Sequence, residues 1–596
     1  MQFGAQVLAA GGTRFRLWAP AARQAELLLE SGGAHAMQAL ADGWHEAVLP
    51  QAGAGTRYRY RLDGGTPVPD PASRYNPEDV HGPSEVVAPS AYAWQDAAWR
   101  GRPWHEAVVY ELHIGSFTPE GTFAAATERL AELAALGITA IELMPLADTP
   151  GARNWGYDGV LLFAPEAGYG RPDQLRALVD RAHGLGLMVL VDVVYNHFGP
   201  DGNYLHGYCP EFFNAAHQTP WGAAINYDGA DHAAVRAFFV ANALYWIEEF
   251  HCDGLRLDAV HQIRDDSPLS IVEEIAQALE RRASGPGAQR PVHLVLENDL
   301  NQASRLARPG AASAQWNDDL HHAAHVLATG ETDGYYGDYA REPAQLLGRA
   351  LAEGFVFQGQ VSPHHGGPRG EPSGALPPTA FVSFLQNHDQ VGNRALGERL
   401  DRLAPARRLE ALYACLLLAP HIPMLFMGEE FAASTPFLYF CDFRGELADA
   451  VRQGRRAEFK RFAAFADEAA RARIPDPNAE STFAASKLRW AERETSPHRE
   501  RLALVRRLLQ LRHQHLLPLL AAAPGGGRSL GTGGLVHVVW PLAGGARWEL
   551  QANLQDEPVA APAPTLPGQP DSQRIYVSHA EAGMPPWSVR VNLFTA

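Results

Sequence analysis

The amino-acid sequence predicts an α/β protein in which eight strand–helix units make up the bulk of the chain, with a small antiparallel β-sandwich before them and an all-β domain after them. Three observations carry this prediction. From Gln2 to about Pro89 short strands place apolar and charged side chains on opposite faces, the pattern of half-buried sheet. After Trp104 short apolar runs alternate with helical patterns, as in βα units around a parallel sheet, closed into a barrel or left open. Beyond Pro524 strand patterns return without helices. The 596 residues, 46% hydrophobic and 20% charged, supply apolar surface for one large barrel with attachments. They exclude a disordered chain and a small disulfide scaffold.

In the first segment Thr13-Arg-Phe-Arg-Leu-Trp18 and Thr56-Arg-Tyr-Arg-Tyr-Arg-Leu62 alternate strictly, and the turn-rich stretches Asp63–Gly65 and Pro67–Pro71 separate strands. The barrel strands are expected at Val108–His113, Ala140–Met144, Met188–Val194, Gly254–Asp258, His293–Glu297, a poorly marked stretch near Gln315–Asn317, Phe381–Leu385 and Pro423–Met427. Between the second and third, Leu175, Leu178, Val179 and Ala182 fall on one helical face, with Pro172 and Asp173 opening the helix and Gly184 closing it. After the linker-like Gly525–Gly527, strands are expected at Leu535–Trp540, Trp548–Leu550 and Ser588–Leu593, and Val559–Pro567 reads as a surface loop. The expected spans are 1–92 for the N-terminal sandwich, 93–522 for the barrel and 523–596 for a C-terminal β-sandwich.

The formal charge of −17 repels phosphate backbones and anionic headgroups, so neither nucleic acid nor a membrane is an expected partner. Four isolated cysteines, Cys209, Cys252, Cys415 and Cys441, form no metal-binding spacing and read as buried thiols. The N-terminus carries no basic segment followed by an apolar core, and the longest apolar stretch, Ala411–Met427, is broken by Pro420, His421 and Pro423. A cytoplasmic protein without a transmembrane helix is expected.

The chemistry is expected where three carboxylates end predicted barrel strands: Asp258 in Gly254-Leu-Arg-Leu-Asp258, Glu297 in Leu294-Val-Leu-Glu297, and Asp389 in Gln386-Asn-His-Asp389. Barrel active sites are built at the C-terminal ends of the strands. A carboxylate there needs a cleft or a partner, because an unpaired buried charge costs too much. Any one of the three fits equally well as a helix cap or an arginine partner. Three in succession, with Asp192 and His197 ending a further strand, point to a site.

Asp192-Val-Val-Tyr-Asn-His197, Gly254-Leu-Arg-Leu-Asp258, Glu297 and Asn387-His-Asp389 stand in the order and spacing of the four motif regions of the alpha-amylase superfamily of glycoside hydrolases, which the chain resembles from about Trp104 to Leu520. The resemblance implies a (β/α)8 TIM barrel, preceded by the immunoglobulin-like, early-set sandwich of branching and debranching relatives. It implies a retaining double displacement, with Asp258 as nucleophile and Glu297 as the acid that protonates the departing oxygen and later activates water. Arg256, two residues before Asp258 on the same strand face, is expected to keep that carboxylate ionised. Asp389 is expected to bind hydroxyls of the distorted sugar, His197 and His388 to steady that sugar as neutral imidazoles, and Tyr157 to offer an aromatic platform.

Flanking text narrows the resemblance. Asp70-Pro-Ala-Ser-Arg-Tyr-Asn-Pro77, His81-Gly-Pro83, Tyr110-Glu-Leu-His-Ile-Gly-Ser-Phe-Thr118, Glu297-Asn-Asp-Leu-Asn301 and Gln315-Trp-Asn-Asp-Asp-Leu-His-His322 are similar to members that hydrolyse the α-1,4 bond beside the terminal trehalose of malto-oligosyltrehalose. The implied ligands are malto-oligosyltrehalose, trehalose and maltodextrin, the implied state is a monomer, and no cofactor or metal is implied. The competing readings are a glycogen branching enzyme, in which an acidic residue follows the acid glutamate where this chain has Asn298, and a non-catalytic glucan-binding protein. Asp299, Trp316, Asn317, Asp318 and Asp319 are the candidates for recognising the trehalose end, since an indole and clustered polar groups suit a hydroxyl-rich ligand. A helix N-cap explains the same Asn and Asp cluster equally well.

Overall fold

In the computed structural model, residues 2–285, 290–306, 311–461, 463–521, 523–560, 572–579 and 583–595 are described. Eight parallel strands close into a barrel: Val109–Leu112, Ala140–Leu143, Met188–Val193, Gly254–Leu257, His293–Leu296, Ala314–Trp316, Phe381–Ser383 and Ile422–Phe426, the last pairing with the first. The barrel is thus closed rather than an open sheet. All eight expected runs are strands, and each ends a residue or two sooner than the sequence pattern suggests. Asp258 and Glu297 therefore stand one residue beyond their strands, where the chain turns into a loop and a charged side chain reaches the cleft.

Side-chain alternation divides the barrel interior into two layers. Val109, Ala140, Met188, Leu190, Val295, Ala314 and Val382 fill the lower part with apolar side chains. Two residues further along, the inward positions become Glu111, Glu142, Asp192 and Arg256, all buried. The register sets Glu111 beside Glu142 and Asp192 beside Arg256. An apolar base therefore carries an upper layer of ionisable side chains.

The surrounding helices follow ordinary rules. In Pro172–Gly184 the proline occupies the first turn, Gln174 Oε1 accepts from the Arg171 N–H at 2.9 Å, and Leu175, Leu178, Val179 and Ala182 face the core. Phe123–Leu136 begins with Thr122 Oγ1 accepting from Ala125 N and stops at Gly137, whose φ of 109° favours glycine. Between the fifth and sixth strands the described residues hold only the short turn Ala303–Arg305 in place of a helix. That missing helical punctuation is why the sixth strand is poorly marked in the sequence.

The N-terminal module is two four-stranded antiparallel sheets packed around Phe15, Leu17, Leu27, Tyr58 and Tyr60. The 70–77 motif joins this module to the barrel. Asp70, buried, accepts from Tyr58 Oη at 2.7 Å and Ala72 N at 2.8 Å, and Arg74 lies over the rings of Phe163 and Tyr245.

The C-terminal region departs from the expected sandwich. Its described residues form one five-stranded antiparallel sheet that includes Leu535–Pro541, Arg547–Asn553 and Ser588–Phe594. The second layer is supplied by barrel helices rather than another sheet: Trp540 Nε1 donates to Leu351 O at 3.0 Å and Trp548 Nε1 to Leu418 O at 2.7 Å. Most of the Val559–Pro567 loop lies outside the described residues. All four cysteines are free and buried, and no helix among the described residues is long and apolar enough to cross a membrane.

Candidate active site

Arg256 organises the floor of the cleft. Its Nη1 donates to Asp192 Oδ2 at 2.7 Å and Asp258 Oδ1 at 2.8 Å, and its Nη2 lies 2.8 Å from Glu297 Oε2, an ion-pair contact rather than an aligned hydrogen bond. One guanidinium, wholly buried, thereby holds the carboxylates of three strand ends. Below it Trp316 presents its ring 4.1 Å from the guanidinium carbon. Asp258 Oδ2 also accepts from Asn196 Nδ2 at 2.7 Å, and Glu297 Oε2 accepts from the Ala259 N–H at 2.8 Å. Ala259 has a φ of 40°, in the left-handed region that a residue with a Cβ rarely occupies. That local strain aims its N–H at Glu297, in the next strand's loop.

The two central carboxyls are driven apart electrostatically. Burial works against the charge of Asp258, but Arg256, His197 and Asn196 outweigh it and hold its pKa below the ordinary aspartate value. At Glu297 burial dominates. The nearby charges of Asp258, Asp389 and Asp318 reinforce it against Arg256, so its pKa rises well above the usual glutamate value. One group is poised to stay ionised while its neighbour keeps a proton. Burial likewise lifts Asp192 to about 6 against the pull of Arg256.

Around this pair stand the aromatic and imidazole groups. Tyr157 donates its hydroxyl to Asp192 Oδ2 at 2.6 Å, and its half-buried ring stacks on His388 with centroids 5.0 Å apart. His197 bonds Asn196 and, through Nε2, the Tyr157 carbonyl; burial lowers its pKa, as a neutral ring requires. His388 differs from its expected neutral form. Burial opposes its charge, yet Glu111 and Asp389 overcome burial and lift its pKa to about 9. Its surroundings thus favour the imidazolium.

A cleft of about 240 Å³ opens beside Glu297 and Asp389. Its walls include Asp299, Asp318, Tyr335, His364, His365 and Asn393, contributed by loops and helix ends. Burial, with Asp299 and Asp389 nearby, brings Asp318 to about 7. His322, also on this wall, is neutral because burial holds its pKa far below the usual value, and its Nδ1 has no partner among the described residues. On another side the half-exposed Trp221, at the tip of the hairpin formed by Phe213–Thr219 and Gly222–Ile225, stacks on His197 with centroids 4.8 Å apart.

Residues 87–211 match the family model of the alpha amylase catalytic domain, and residues 2–80 that of carbohydrate-binding module 48, the isoamylase N-terminal domain. The chain is 45% identical to a malto-oligosyltrehalose trehalohydrolase of Deinococcus radiodurans over 86% of its length and 83% of that protein. The chain belongs to the malto-oligosyltrehalose trehalohydrolase family. A trehalohydrolase of Saccharolobus solfataricus is 42% identical over 80% of this chain and 82% of its own. A crystal structure of a Salmonella typhimurium protein described as an alpha amylase superposes with a TM-score of 0.93 at 47% identity, covering all of this chain and 99% of the other. A 1,4-alpha-glucan branching enzyme of Nocardia farcinica matches only 42% of this chain and 36% of its own.

In this member of the trehalohydrolase family, the structure gathers Asp192, His197, Arg256, Asp258, Glu297, His388, Asp389 and Tyr157 in one place. Asp389 lies on the short helix His388–Gly392 rather than at a strand end. The candidates for the trehalose end divide. Asp299 and Asp318 line the cleft, but the other three are turned away from it. Trp316 is buried inside the barrel under Arg256. Asn317 caps the helix Asp318–Thr329 and donates to Gly354 O at 2.9 Å. Asp319, fully buried, accepts from Asn301, Tyr339, Arg369 and the backbone of Val356 and Phe357, which ties loops together behind the wall.

Glu111, Glu142, Ala259, Trp221 and the His364–His365 pair escaped the sequence reading. A charged residue at an inward position of a strand, as in Val109-Tyr-Glu-Leu112, was a usable signal for the first two; the loop residues carried none. Among the described residues one trio, His217, Asp228 and Asp266, is close enough to hold a metal ion. Asp228 already accepts from His217 Nε2 at 2.9 Å, the Asp266 N–H at 2.9 Å and Asn214 Nδ2 at 2.7 Å, so the group fastens the Trp221 hairpin.

Proposed function

We propose that this enzyme hydrolyses the α-1,4 bond beside the terminal trehalose of malto-oligosyltrehalose, releasing trehalose and a shorter maltodextrin. The observation that carries the reading is the Arg256-centred pair, in which the surroundings favour the carboxylate of Asp258 and the acid form of Glu297, in a chain alike over more than four fifths of its length to a trehalohydrolase. Asp258 attacks the anomeric carbon of the glucan at the bond to be broken. Glu297 donates its proton to the departing oxygen, which carries the trehalose away. The glycosyl–Asp258 ester then meets a water that Glu297, now a carboxylate, deprotonates, so the configuration is retained. Asp389 and His388 bind hydroxyls of the reacting sugar, where their contacts strengthen as its ring flattens.

Because the leaving group is the trehalose, it occupies the side of the cleft next to the acid. The walls there, Asp299, Asp318, Tyr335, His364 and His365, offer acceptors, donors and an aromatic ring to a compact disaccharide. The test is product analysis with maltopentaosyltrehalose and, separately, amylose. Trehalose plus maltopentaose from the first, with little change in the second, supports the reading. Branched glucan from amylose and no trehalose overturns it.

A further inference from the structure

The reaction described above makes no use of Glu111. This side chain sits on the first barrel strand, and both it and His388 are 1% exposed. Its Oε1 lies 2.5 Å from His388 Nδ1, and its Oε2 accepts from the His388 backbone N–H at 3.0 Å. One carboxylate thus holds the ring and the main chain of the same histidine, across the seam where the barrel closes. The far ring nitrogen, Nε2, lies 3.5 Å from Asp389 Oδ1 on the cleft wall, a charge contact rather than an aligned hydrogen bond.

Both ring nitrogens therefore face carboxylate oxygens. A neutral imidazole has one donor and one acceptor nitrogen, and its acceptor would set a lone pair against a carboxylate. The doubly protonated ring suits both contacts, with Nδ1–H donating to Glu111 and a positive edge turned to Asp389. The other groups packed on His388 do not change this. Tyr157 covers one face and Trp155 meets it edge-on at 5.5 Å, while Trp316 lies 6.0 Å away. Arg256 opposes the charge from across the floor. His113, which senses His388, is kept neutral by burial, its pKa near 4. Glu142, beside Glu111 in register, has neither oxygen hydrogen-bonded and is kept in its neutral acid form by burial.

We infer that Glu111 is a positioning residue for the glycosidic reaction: it fixes His388 as an imidazolium with Nε2 turned to the cleft, so that the reacting sugar meets a cationic donor. This rests on the reading that the cleft cleaves a glycosidic bond. The cation supplies a charge-assisted hydrogen bond to a sugar hydroxyl, stronger than a neutral ring gives.

Glu111→Gln tests the inference without changing volume. Its amide oxygen still accepts from the His388 backbone, but its NH2 confronts Nδ1 and leaves the ring neutral. The expected result is a roughly ten- to hundredfold loss in kcat, less than the hundred- to thousandfold cost of losing a transition-state donor outright because the neutral ring still donates from Nε2, with KM little changed. The alkaline limb of the pH profile moves at least one unit toward acid, while Glu111→Asp keeps the wild-type limb. In the wild type, NMR of labelled histidine, assigned by loss of the signal in His388→Asn, should show His388 cationic through pH 8; in Glu111→Gln it should be neutral above pH 7. A wild-type His388 titrating near 6.5, or a folded Glu111→Gln enzyme whose His388 titrates as in the wild type, overturns the inference. If Glu111→Gln does not fold, the wild-type titration decides alone. The titration needs no substrate, so a failure to release trehalose counts against the function and leaves the assignment of Glu111 standing or falling on its own.

Discussion

The floor and the rim of the cleft are built differently. The floor is made of side chains on barrel strands, Asp192 and Arg256, or one residue past them, Asp258 and Glu297, joined through a single buried guanidinium with distances of 2.7–2.8 Å between charged atoms. The rim is made of Asp299, Asp318, Tyr335, His364, His365 and Asn393, drawn from loops and helix ends rather than from the strand ladder, with contacts such as His365 Nε2 to Asp299 Oδ2 at 3.3 Å and Arg369 Nη2 to Asp299 Oδ1 at 2.9 Å. The floor can hold reacting groups to a fraction of an ångström because the barrel ladder fixes it. The rim can change its ligand without disturbing the chemistry. In the proposed mechanism, bond breaking belongs to the floor and choice of substrate to the rim.

Substitutions in each part should break that division in different ways. The largest effect belongs to the floor: Asp258→Asn or Glu297→Gln should lower turnover on the order of 10⁴-fold or more, with the circular dichroism spectrum unchanged. The wild-type activity should fall on the acid side only when Asp258 takes a proton, below its ordinary aspartate range, and on the alkaline side as Glu297 and His388 lose theirs.

Next comes Arg256→Met, which strands Asp192 and Asp258 as buried unpaired charges. Denaturant unfolding should show a loss of about 3–5 kcal/mol, together with loss of activity. Glu111→Gln should also change the pH dependence of stability. The folded pKa of His388 near 9 lies above its ordinary 6.5, so its contribution is complete below pH 6.5 and disappears as pH rises through about 9. That contribution is on the order of 3 kcal/mol, and the variant should flatten the stability curve across this window.

Smaller effects should come from the rim. Asp299→Asn or His365→Ala should raise KM for malto-oligosyltrehalose roughly five- to tenfold, the scale of a single hydrogen bond of about 1 kcal/mol, with kcat nearly constant. Smallest of all, Trp316→Phe should leave the discrimination between malto-oligosyltrehalose and plain maltodextrin unchanged, because the indole is buried beneath Arg256 and does not reach the cleft.

The same division explains what the sequence reveals. The eight strands and the residues of the floor are legible because short apolar runs and motif spacing place Asp258, Glu297 and Arg256 on known strand faces. The charge of His388 is not legible, since it depends on Glu111, 277 residues away, across the barrel seam. Clustering in sequence also misleads at the rim. Asp318 and Asp319 are neighbours, yet the helix start turns one into the cleft and the other into a buried knot with Arg369 and Tyr339. The C-terminal strands alternate as a sandwich would, but the apolar face that a second sheet would cover is taken by barrel helices, which strand pattern alone cannot distinguish.

The central claim is that Asp258 forms the glycosyl bond and Glu297 acts only as acid and base. A maltosyl fluoride needs no protonation to lose its leaving group, so Glu297→Gln incubated with it should stall after the first step. Mass spectrometry of the digested protein should find the maltosyl group on the peptide containing Asp258. Fluoride released with no labelled peptide, or a label on Asp318 or Asp389 instead, would contradict the account.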